Sequence, residues 1–387
     1  MPDTTPTPNP AARSGSGTRI IRVAAVQAAS VAYDLDSSLT KARKLVADAK
    51  EGGAGMVVLP EAFLGGYPRG MGFEIGRRTG EQREWFGRYV KAGVVVPPNP
   101  VGKDYSGATL DDEYAAFAEL CAIARDSAVY LSIGVVERAP HGSATLWCTN
   151  LLFSPDGVLL SRHRKLQPTA AERVVWSQGE GTNGPAPGSG PGKEEGGGNG
   201  GSGAAGMGCG EDNMAVVPTG VGRVGGLICW ENYMPLARYV LYKKGVEIYV
   251  APTADARPTW LPTMQHIAQE GRCFVVSANQ FHTSDDFPID YPPRVALDPS
   301  RDAAVTGAIN TNGMKSHGEV PAEVWSRGGS CIVGPLGEVL AGPIWDQEGI
   351  IFADLDMDSL LGARLDFEAA GHYAREELML SLLSQRG

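Results

Sequence analysis

Short apolar runs, separated by polar and glycine-rich segments, recur along the whole chain. Apolar runs of four to eight residues bounded by Gly, Pro, Asn or Asp are typical of buried β-strands. The pattern predicts strands in 21–29, 55–60, 129–137, 145–165 (two strands around the turn SPDG), 224–229, 246–252, 273–280, 330–342 and 349–356.

A second periodicity, with apolar residues three or four positions apart, lies between several of these strands. It predicts amphipathic helices in residues 34–54, 110–127 and 261–272, the first of them ended by a pair of glycines. Strands alternate with helices early in the chain, and hairpin-like pairs follow. This order predicts an α/β layered domain with mixed sheets.

Two stretches interrupt the pattern. Residues 1–18 are polar and proline-rich and lack the apolar core of a signal peptide, so we expect a disordered tail, with an organelle-targeting segment as the alternative. From Gly179 to Gly210, 15 of 32 residues are glycine, and this composition buries too little apolar surface to fold. We expect one domain over 19–380, interrupted by a flexible insertion over 183–212. The alternative, a phosphate-binding loop, lacks the required Gly-Lys-Ser/Thr sequence.

Composition and charge exclude several classes of protein. The 387 residues are 43% hydrophobic and 20% charged, as in an ordinary soluble globular protein. No apolar run approaches the roughly 18 residues of a membrane span. The net charge of −10 and the lack of a basic stripe argue against nucleic acid as a partner.

Cysteine and histidine spacing bears on the compartment and on cofactors. The six cysteines form no CxxC pair, and the six histidines form no HExxH motif. We therefore expect free thiols, a reducing cytoplasmic location, and no metal or other cofactor.

Three predicted strands end in a reactive side chain: Glu61, Lys165 and Cys229. Sites in layered α/β proteins gather at the carboxyl ends of strands, so these side chains are expected to converge. A carboxylate can take the proton of a thiol, and a lysine and a helix N-terminus can favour the thiolate. Taken singly, Cys229 also fits a packed core thiol, Glu61 a solvated strand end and Lys165 ordinary surface charge.

The flanking residues make the combination specific. LPEAFLGGYPRG, HRKLQPTAAERVVWSQGEG and GGLICWENYMPL together resemble the nitrilase branch of the carbon–nitrogen hydrolase (nitrilase) superfamily, and most of all plant-type nitrilases. The resemblance extends over roughly residues 20–376 and is interrupted by the glycine-rich stretch. It implies a four-layer α-β-β-α sandwich with mixed sheets.

The resemblance also implies roles for particular residues. Glu61 matches the general base, Lys165 the lysine that stabilises tetrahedral intermediates, and Cys229 the nucleophile. Glu172 matches a second glutamate that orients the lysine and the substrate. After the cysteine, Trp230 is typical of true nitrilases, and it would supply an oxyanion-binding N–H and a wall of the substrate pocket.

Aromatic residues are further candidates for this pocket. Tyr67 and Trp230 are expected to bind substrate. Trp176 and Trp260 fit either the pocket or the core.

The implied reaction converts a nitrile to a carboxylic acid and ammonia without a cofactor, in a homo-oligomer built from dimers that can extend into a spiral filament. The alternatives are amide formation of the nitrile hydratase type (including from β-cyano-L-alanine), an amidase of the same superfamily, and a non-enzymatic scaffold.

Overall fold

The computed structural model describes residues 18–69, 74–105, 107, 111–180, 182–183, 211–297 and 322–384. The predicted tail therefore lies outside the described residues except for Thr18, and so does most of the predicted insertion. Thr182 pairs with Asp212 across two short antiparallel strands, so the two ends of the insertion lie side by side. The predicted domain limits stay a prediction.

The predicted strands are present, most of them within a few residues of the expected bounds. In chain order the strands are β1 (Ile20–Gln27), β2 (Met56–Val58), β3 (Val94–Val95), β4 (Tyr130–Arg138), β5 (Leu146–Phe153), β6 (Leu159–Arg164), β7 (Thr182–Asn183), β8 (Glu211–Asp212), β9 (Val217–Thr219), β10 (Gly222–Gly226), β11 (Ile248–Val250), β12 (Phe274–Ser277), β13 (Phe281–Thr283), β14 (Val324–Arg327), β15 (Cys331–Val333), β16 (Val339–Ala341) and β17 (Gly349–Asp356).

The three predicted helices are also present. Asp34 caps the first, since its side chain accepts a hydrogen bond from the Ser37 N–H. In chain order the helices are α1 (Leu35–Glu51), α2 (Gly80–Lys91), α3 (Ala115–Ser127), α4 (Pro235–Lys243), α5 (Trp260–Gly271), α6 (Pro292–Leu297), α7 (Ser359–Asp366) and α8 (Glu376–Ser384).

Within the described ranges, most strands belong to two mixed sheets. The first has the order β17-β1-β2-β4-β5-β6, with β3 beside β4, and the second has the order β16-β15-β12-β11-β10-β9. In each sheet the central strands are parallel, β1-β2-β4 in the first and β10-β11-β12 in the second. The short strand β3 is also parallel to β4, and the other flanking strands are antiparallel. The mixed sheets were predicted from the alternation of helices and hairpins.

The two sheets face each other across an apolar core. Val23 and Ala25 of β1 pack in the cluster that includes Ile248 and Phe274 of the second sheet. The alternate residue Ala24 faces the opposite way, into the cluster formed with α1 and α3. Helices α4 and α5 cover the outer face of the second sheet. These layers confirm the predicted α-β-β-α sandwich.

Among the described residues, no helix is both long enough and apolar enough to cross a membrane.

Candidate active site

Glu61 lies in the turn at the carboxyl end of β2 and is buried. This strand pairs with β1 on one side and β4 on the other. Gly134 of β4 lies against the turn, and a Cβ atom there would come within 2.3 Å of the Pro60 carbonyl oxygen, so the close approach requires glycine. Gln280 Nε2 donates to the Glu61 carbonyl oxygen at 2.8 Å. The backbone that carries the carboxylate is therefore fixed.

Lys165 follows β6 directly and is also buried. Its Nζ donates to Glu61 Oε1 at 2.9 Å and to Glu172 Oε2 at 2.7 Å. Its backbone N–H donates to the Cys148 carbonyl oxygen at 2.8 Å, which continues the pairing of β5 with β6. One ammonium group is thus shared by two buried carboxylates.

Glu172 lies in the short 3₁₀ helix Ala170–Val174, where it forms a capping box with Thr169. Its Oε2 accepts from the Thr169 N–H at 2.7 Å, and its Oε1 accepts from the Tyr67 hydroxyl at 2.9 Å. The carboxylate that contacts Lys165 is therefore held by a backbone donor and by a tyrosine.

Cys229 begins the 3₁₀ turn Cys229–Tyr233 after β10, with φ of 52°. Positive φ is unusual for a residue with a side chain and marks a strained position. The Cys229 N–H donates to the Pro252 carbonyl oxygen at 2.8 Å, and the Thr253 hydroxyl donates to Sγ at 3.3 Å. The loop after β11 therefore holds both the backbone and the sulfur of this residue.

Burial and the surrounding charges together favour the thiol of Cys229 over the thiolate. Burial, and next the negative charge of Glu61, raise the pKa of the Cys229 thiol. Burial also raises the pKa of Glu61, and the Lys165 ammonium offsets only part of that rise. Burial lowers the pKa of Lys165, but the negative groups around it, Glu61 first, raise it more.

The Lys165 charge lowers the pKa of Cys229 in the expected direction, but the net shift is upward, and no helix N-terminus adjoins the sulfur. The turn after Cys229 is a 3₁₀ turn, and α4 begins only at Pro235. Burial and the Glu61 charge outweigh the effect of Lys165. Among the described residues, Glu61 Oε2 has no hydrogen-bond partner. A protonated thiol therefore lies beside a carboxylate with one unused oxygen.

A cavity of about 530 Å³ opens onto this cluster, a size suited to a small organic molecule. The predicted residues Tyr67, Glu172, Cys229 and Trp230 line it. Its wall also holds residues that the sequence analysis missed, which are Arg69, Asp255, Arg257, Trp325 and Arg327.

Asp255 and Arg257 hold Trp230 in place. The Trp230 indole N–H donates to Asp255 Oδ2 at 2.8 Å, and the Arg257 guanidinium, itself paired with Asp255, lies 4.5 Å from the indole centroid. Both residues follow the carboxyl end of β11, so the strand-end rule applied to 246–252 would have indicated them. Trp325 lies within β14, and no motif in the sequence points to it.

The other two tryptophans that the sequence offered as pocket candidates, Trp176 and Trp260, lie outside the described cavity wall. The Trp176 ring packs edge-on against Tyr67, with centroids 5.7 Å apart, and the ring lies behind the site near Lys165 Nζ. Trp260 is the first residue of α5 and is buried in the core, where its indole N–H donates to Ser277 Oγ at 2.9 Å. Core packing therefore accounts for both.

The sandwich has counterparts among known proteins. This chain belongs to the carbon–nitrogen hydrolase family, whose model matches residues 22–364. A bifunctional nitrilase/nitrile hydratase of Nicotiana tabacum is 38% identical over 366 residues, which cover 94% of this chain and 86% of the relative. An aliphatic nitrilase of Sinorhizobium fredii is 39% identical over 359 residues, which cover 92% of this chain and 93% of the relative.

Similarity at this level confirms the nitrilase branch, and the identities to the plant and the bacterial relative are nearly equal. The crystal structure of a carbon–nitrogen hydrolase from Helicobacter pylori superposes with a TM-score of 0.60 at 18% identity. The match covers 95% of this chain and 99% of that one. It supports the fold.

Proposed function

We propose that this chain hydrolyses an organic nitrile to the carboxylic acid and ammonia, with Cys229 as the nucleophile. The observation that carries the proposal is that Cys229 lines the cavity and interacts electrostatically with Glu61 and Lys165. The nitrilase relatives, which match more than nine-tenths of the chain, support the same reaction.

In the first step, Glu61 accepts the thiol proton of Cys229 and the sulfur attacks the nitrile carbon. The nitrile nitrogen takes up the proton that Glu61 then releases, which gives a thioimidate. Since the thiol is protonated at rest, a base beside it is necessary. The unused Oε2 of Glu61 can fill that role.

In the second step, water adds to the thioimidate carbon with Glu61 again as the base. Lys165 and the backbone N–H of Trp230 would stabilise the negative charge of the tetrahedral intermediate. The nitrogen leaves as ammonia and an acyl-thioester remains on Cys229. A second water releases the acid and restores the thiol, and no step needs a cofactor.

Amide formation is the second candidate. It follows if the carbon–sulfur bond of the tetrahedral intermediate breaks in place of the carbon–nitrogen bond. The relative from Nicotiana tabacum is named for both activities. An amidase is the third candidate, against which the Trp230 typical of nitrilases argues.

The test is ammonia release from an arylacetonitrile, an aliphatic dinitrile and β-cyano-L-alanine, with products identified by mass. Wild type should release ammonia and acid, and Cys229→Ala should release neither while keeping its circular dichroism spectrum. Nitrile consumption without ammonia, with an amide product, would establish the second candidate. Full activity of Cys229→Ala would overturn the proposal.

We also propose a cytoplasmic homo-oligomer built from dimers, able to extend into a spiral filament. Leu236 of α4 is 64% exposed and Leu380 of α8 is 65% exposed, and exposed apolar surface of this kind marks interfaces. The Tyr239 hydroxyl donates to Glu376 at 2.8 Å, so the two helices present one surface.

Sedimentation velocity tests the assembly: Leu236→Asp should yield smaller particles than wild type, and an unchanged size would argue against this surface. The cytoplasmic location is supported by the thiols, since all five cysteines of the described ranges are free.

A further inference from the structure

Glu231 is a fully buried carboxylate for which the proposed reaction has no use. Its Oε2 accepts from the Ile228 N–H at 2.8 Å, and its Oε1 accepts from the Leu166 N–H at 2.5 Å. Ile228 directly precedes Cys229, and Leu166 directly follows Lys165. One side chain therefore joins the backbone that carries the nucleophile to the backbone that carries the lysine.

His163 is the counter-ion of this carboxylate. Its Nε2 lies 2.8 Å from Glu231 Oε2, and its Nδ1 lies 2.5 Å from the Asn213 carbonyl oxygen. Both partners are acceptors, so both ring nitrogens carry a proton and the ring is an imidazolium. Burial lowers the pKa of His163, but the Glu231 charge more than offsets this and the pKa is raised.

Asn213 extends the same network around Lys165. Its side chain accepts from the Arg164 N–H at 2.7 Å and donates to the Arg164 carbonyl oxygen at 2.8 Å. The three residues His163, Arg164 and Leu166 are thus held on both sides of the lysine. A displacement of about 1 Å in a reacting group can lower the rate about 10²-fold. A network that fixes the backbone on both sides of Lys165 can therefore strongly affect turnover.

We propose that Glu231, with His163 as its counter-ion, is a positioning residue that fixes Lys165 relative to Cys229. Neither Glu231 nor His163 lines the cavity as the described residues define it, so the pair acts on turnover and not on substrate binding. The proposal rests on the proposed nitrile hydrolysis. A buried ion pair by itself is weak evidence of stabilisation, but this pair bridges two loops that contain the reacting groups.

The test compares Glu231→Gln with Glu137→Gln. The second variant removes another buried carboxylate, which pairs with Arg162 and Arg164 of β6. In Glu231→Gln, the side-chain NH₂ group faces one of the two backbone N–H groups, of Ile228 or Leu166, that donate to the carboxylate of Glu231. We expect kcat to fall about 10²-fold with KM within about threefold of wild type. Glu137→Gln should leave kcat of the folded fraction near wild type.

A second readout does not depend on nitrile turnover: the rate at which iodoacetamide alkylates Cys229, followed by mass. We expect Glu231→Gln to change this rate at least tenfold and Glu137→Gln to leave it unchanged. His163→Gln keeps one donor to Glu231 without the charge, and it should lose about tenfold in kcat. Because the pair acts as a unit, the double variant should lose no more than Glu231→Gln.

Two results would overturn the proposal. One is equal kcat in Glu231→Gln and Glu137→Gln after correction for the folded fraction, with unchanged alkylation. The other is wild-type kcat in His163→Gln, which also decides the matter if Glu231→Gln does not fold. Failure of the proposed function would look different, because wild type would then release no ammonia while the alkylation rates still separated the variants.

Discussion

Glu61 and Glu137 are both buried carboxylates that pair with basic residues of one segment, at and directly after the end of β6. Glu61 contacts Lys165 at 2.9 Å, and Glu137 contacts Arg164, the preceding residue. The two lie in opposite charge environments, and the difference shows which of the two carboxylates is better placed to accept a proton.

Glu137 is paired with two basic residues, Arg162 and Arg164. Its Oε2 accepts from Thr149 Oγ1 at 2.8 Å and from Arg164 Nε at 3.1 Å, and Arg162 lies 3.5 Å from Oε1. Burial raises the pKa of Glu137, but Arg164 and Arg162 lower it more, and the result is a pKa below the usual range. Two cations for one carboxylate keep this group ionised and inert.

Glu61 has the opposite ratio. It shares the single Lys165 ammonium with Glu172, and its Oε2 has no hydrogen-bond partner in the described part of the chain. Its pKa is raised because burial outweighs the attraction of the lysine. Two carboxylates for one cation leave one oxygen free to accept a proton, which is what a general base requires.

Glu61→Gln should produce the largest loss of activity. The amide nearly preserves the size of the side chain but cannot accept the Cys229 proton. We expect kcat to fall by about 10³-fold, in the range for loss of a general base, with little change in melting temperature. Ammonia release and circular dichroism on the same samples measure both. Retention of more than a tenth of wild-type kcat would mean that another group takes the proton.

Glu137→Gln should instead lower stability. Two arginines would remain buried beside a neutral amide, and breaking a buried pair in this way costs about 3 kcal/mol. Urea unfolding measures the loss. The kcat of the folded fraction should stay within about threefold of wild type. A large fall in kcat without a change in stability would place Glu137 in the reaction and remove the contrast with Glu61.

Sequence reasoning singled out Glu61, Lys165 and Cys229 because each ends a predicted strand and has specific neighbours in the chain, and the structure brings the three together. Strand and helix periodicity predicted a layered α/β domain with mixed sheets, and the family resemblance implied the four-layer order. Sequence reasoning missed the contact of Cys148 with Glu61 and that of Glu231 with Leu166, because these partners lie far apart in the chain. The cavity wall at Trp325 was missed for the same reason: its position follows from the packing of β14, to which no local pattern points.

The difference between Glu61 and Glu137 also predicts that, as the pH falls, activity is lost at a higher pH than stability. Glu61 must be ionised to act, and its pKa is raised above the ordinary 4.5, so kcat/KM should fall about tenfold per pH unit from a pH above 4.5. The pKa of Glu137 is lowered below 4.5. The stability that it contributes is present above its unfolded pKa and is lost only as the pH falls through its folded pKa.

A window just above pH 4.5 should therefore contain folded but inactive enzyme. Paired profiles of kcat/KM and circular dichroism between pH 4 and pH 8 measure it, and activity should return on transfer to pH 7. If activity and ellipticity fall together, the loss is unfolding and the Glu61 assignment loses its support.

Of these predictions, substitution of Cys148 should have the smallest effect on kcat/KM. Its thiol donates to Glu61 Oε1 at 3.5 Å, on the oxygen that already accepts from Lys165. Burial, and next the Glu61 charge, raise the pKa of Cys148, so the thiol stays protonated and remains a donor. It therefore helps to occupy Oε1 and leaves Oε2 as the basic oxygen.

Removing this weak donor in Cys148→Ala should lower kcat/KM about two- to fivefold, equivalent to about 0.5–1 kcal/mol. Cys121→Ala is the matched control, because that thiol is equally buried but packs with α1 and the first sheet. Both variants lose a sulfur from the core, so a difference in kcat/KM between them isolates the contact with Glu61. Cys148→Ser keeps a donor and should recover part of the loss. If the two alanine variants have the same kcat/KM, Lys165 alone determines which oxygen of Glu61 is the base.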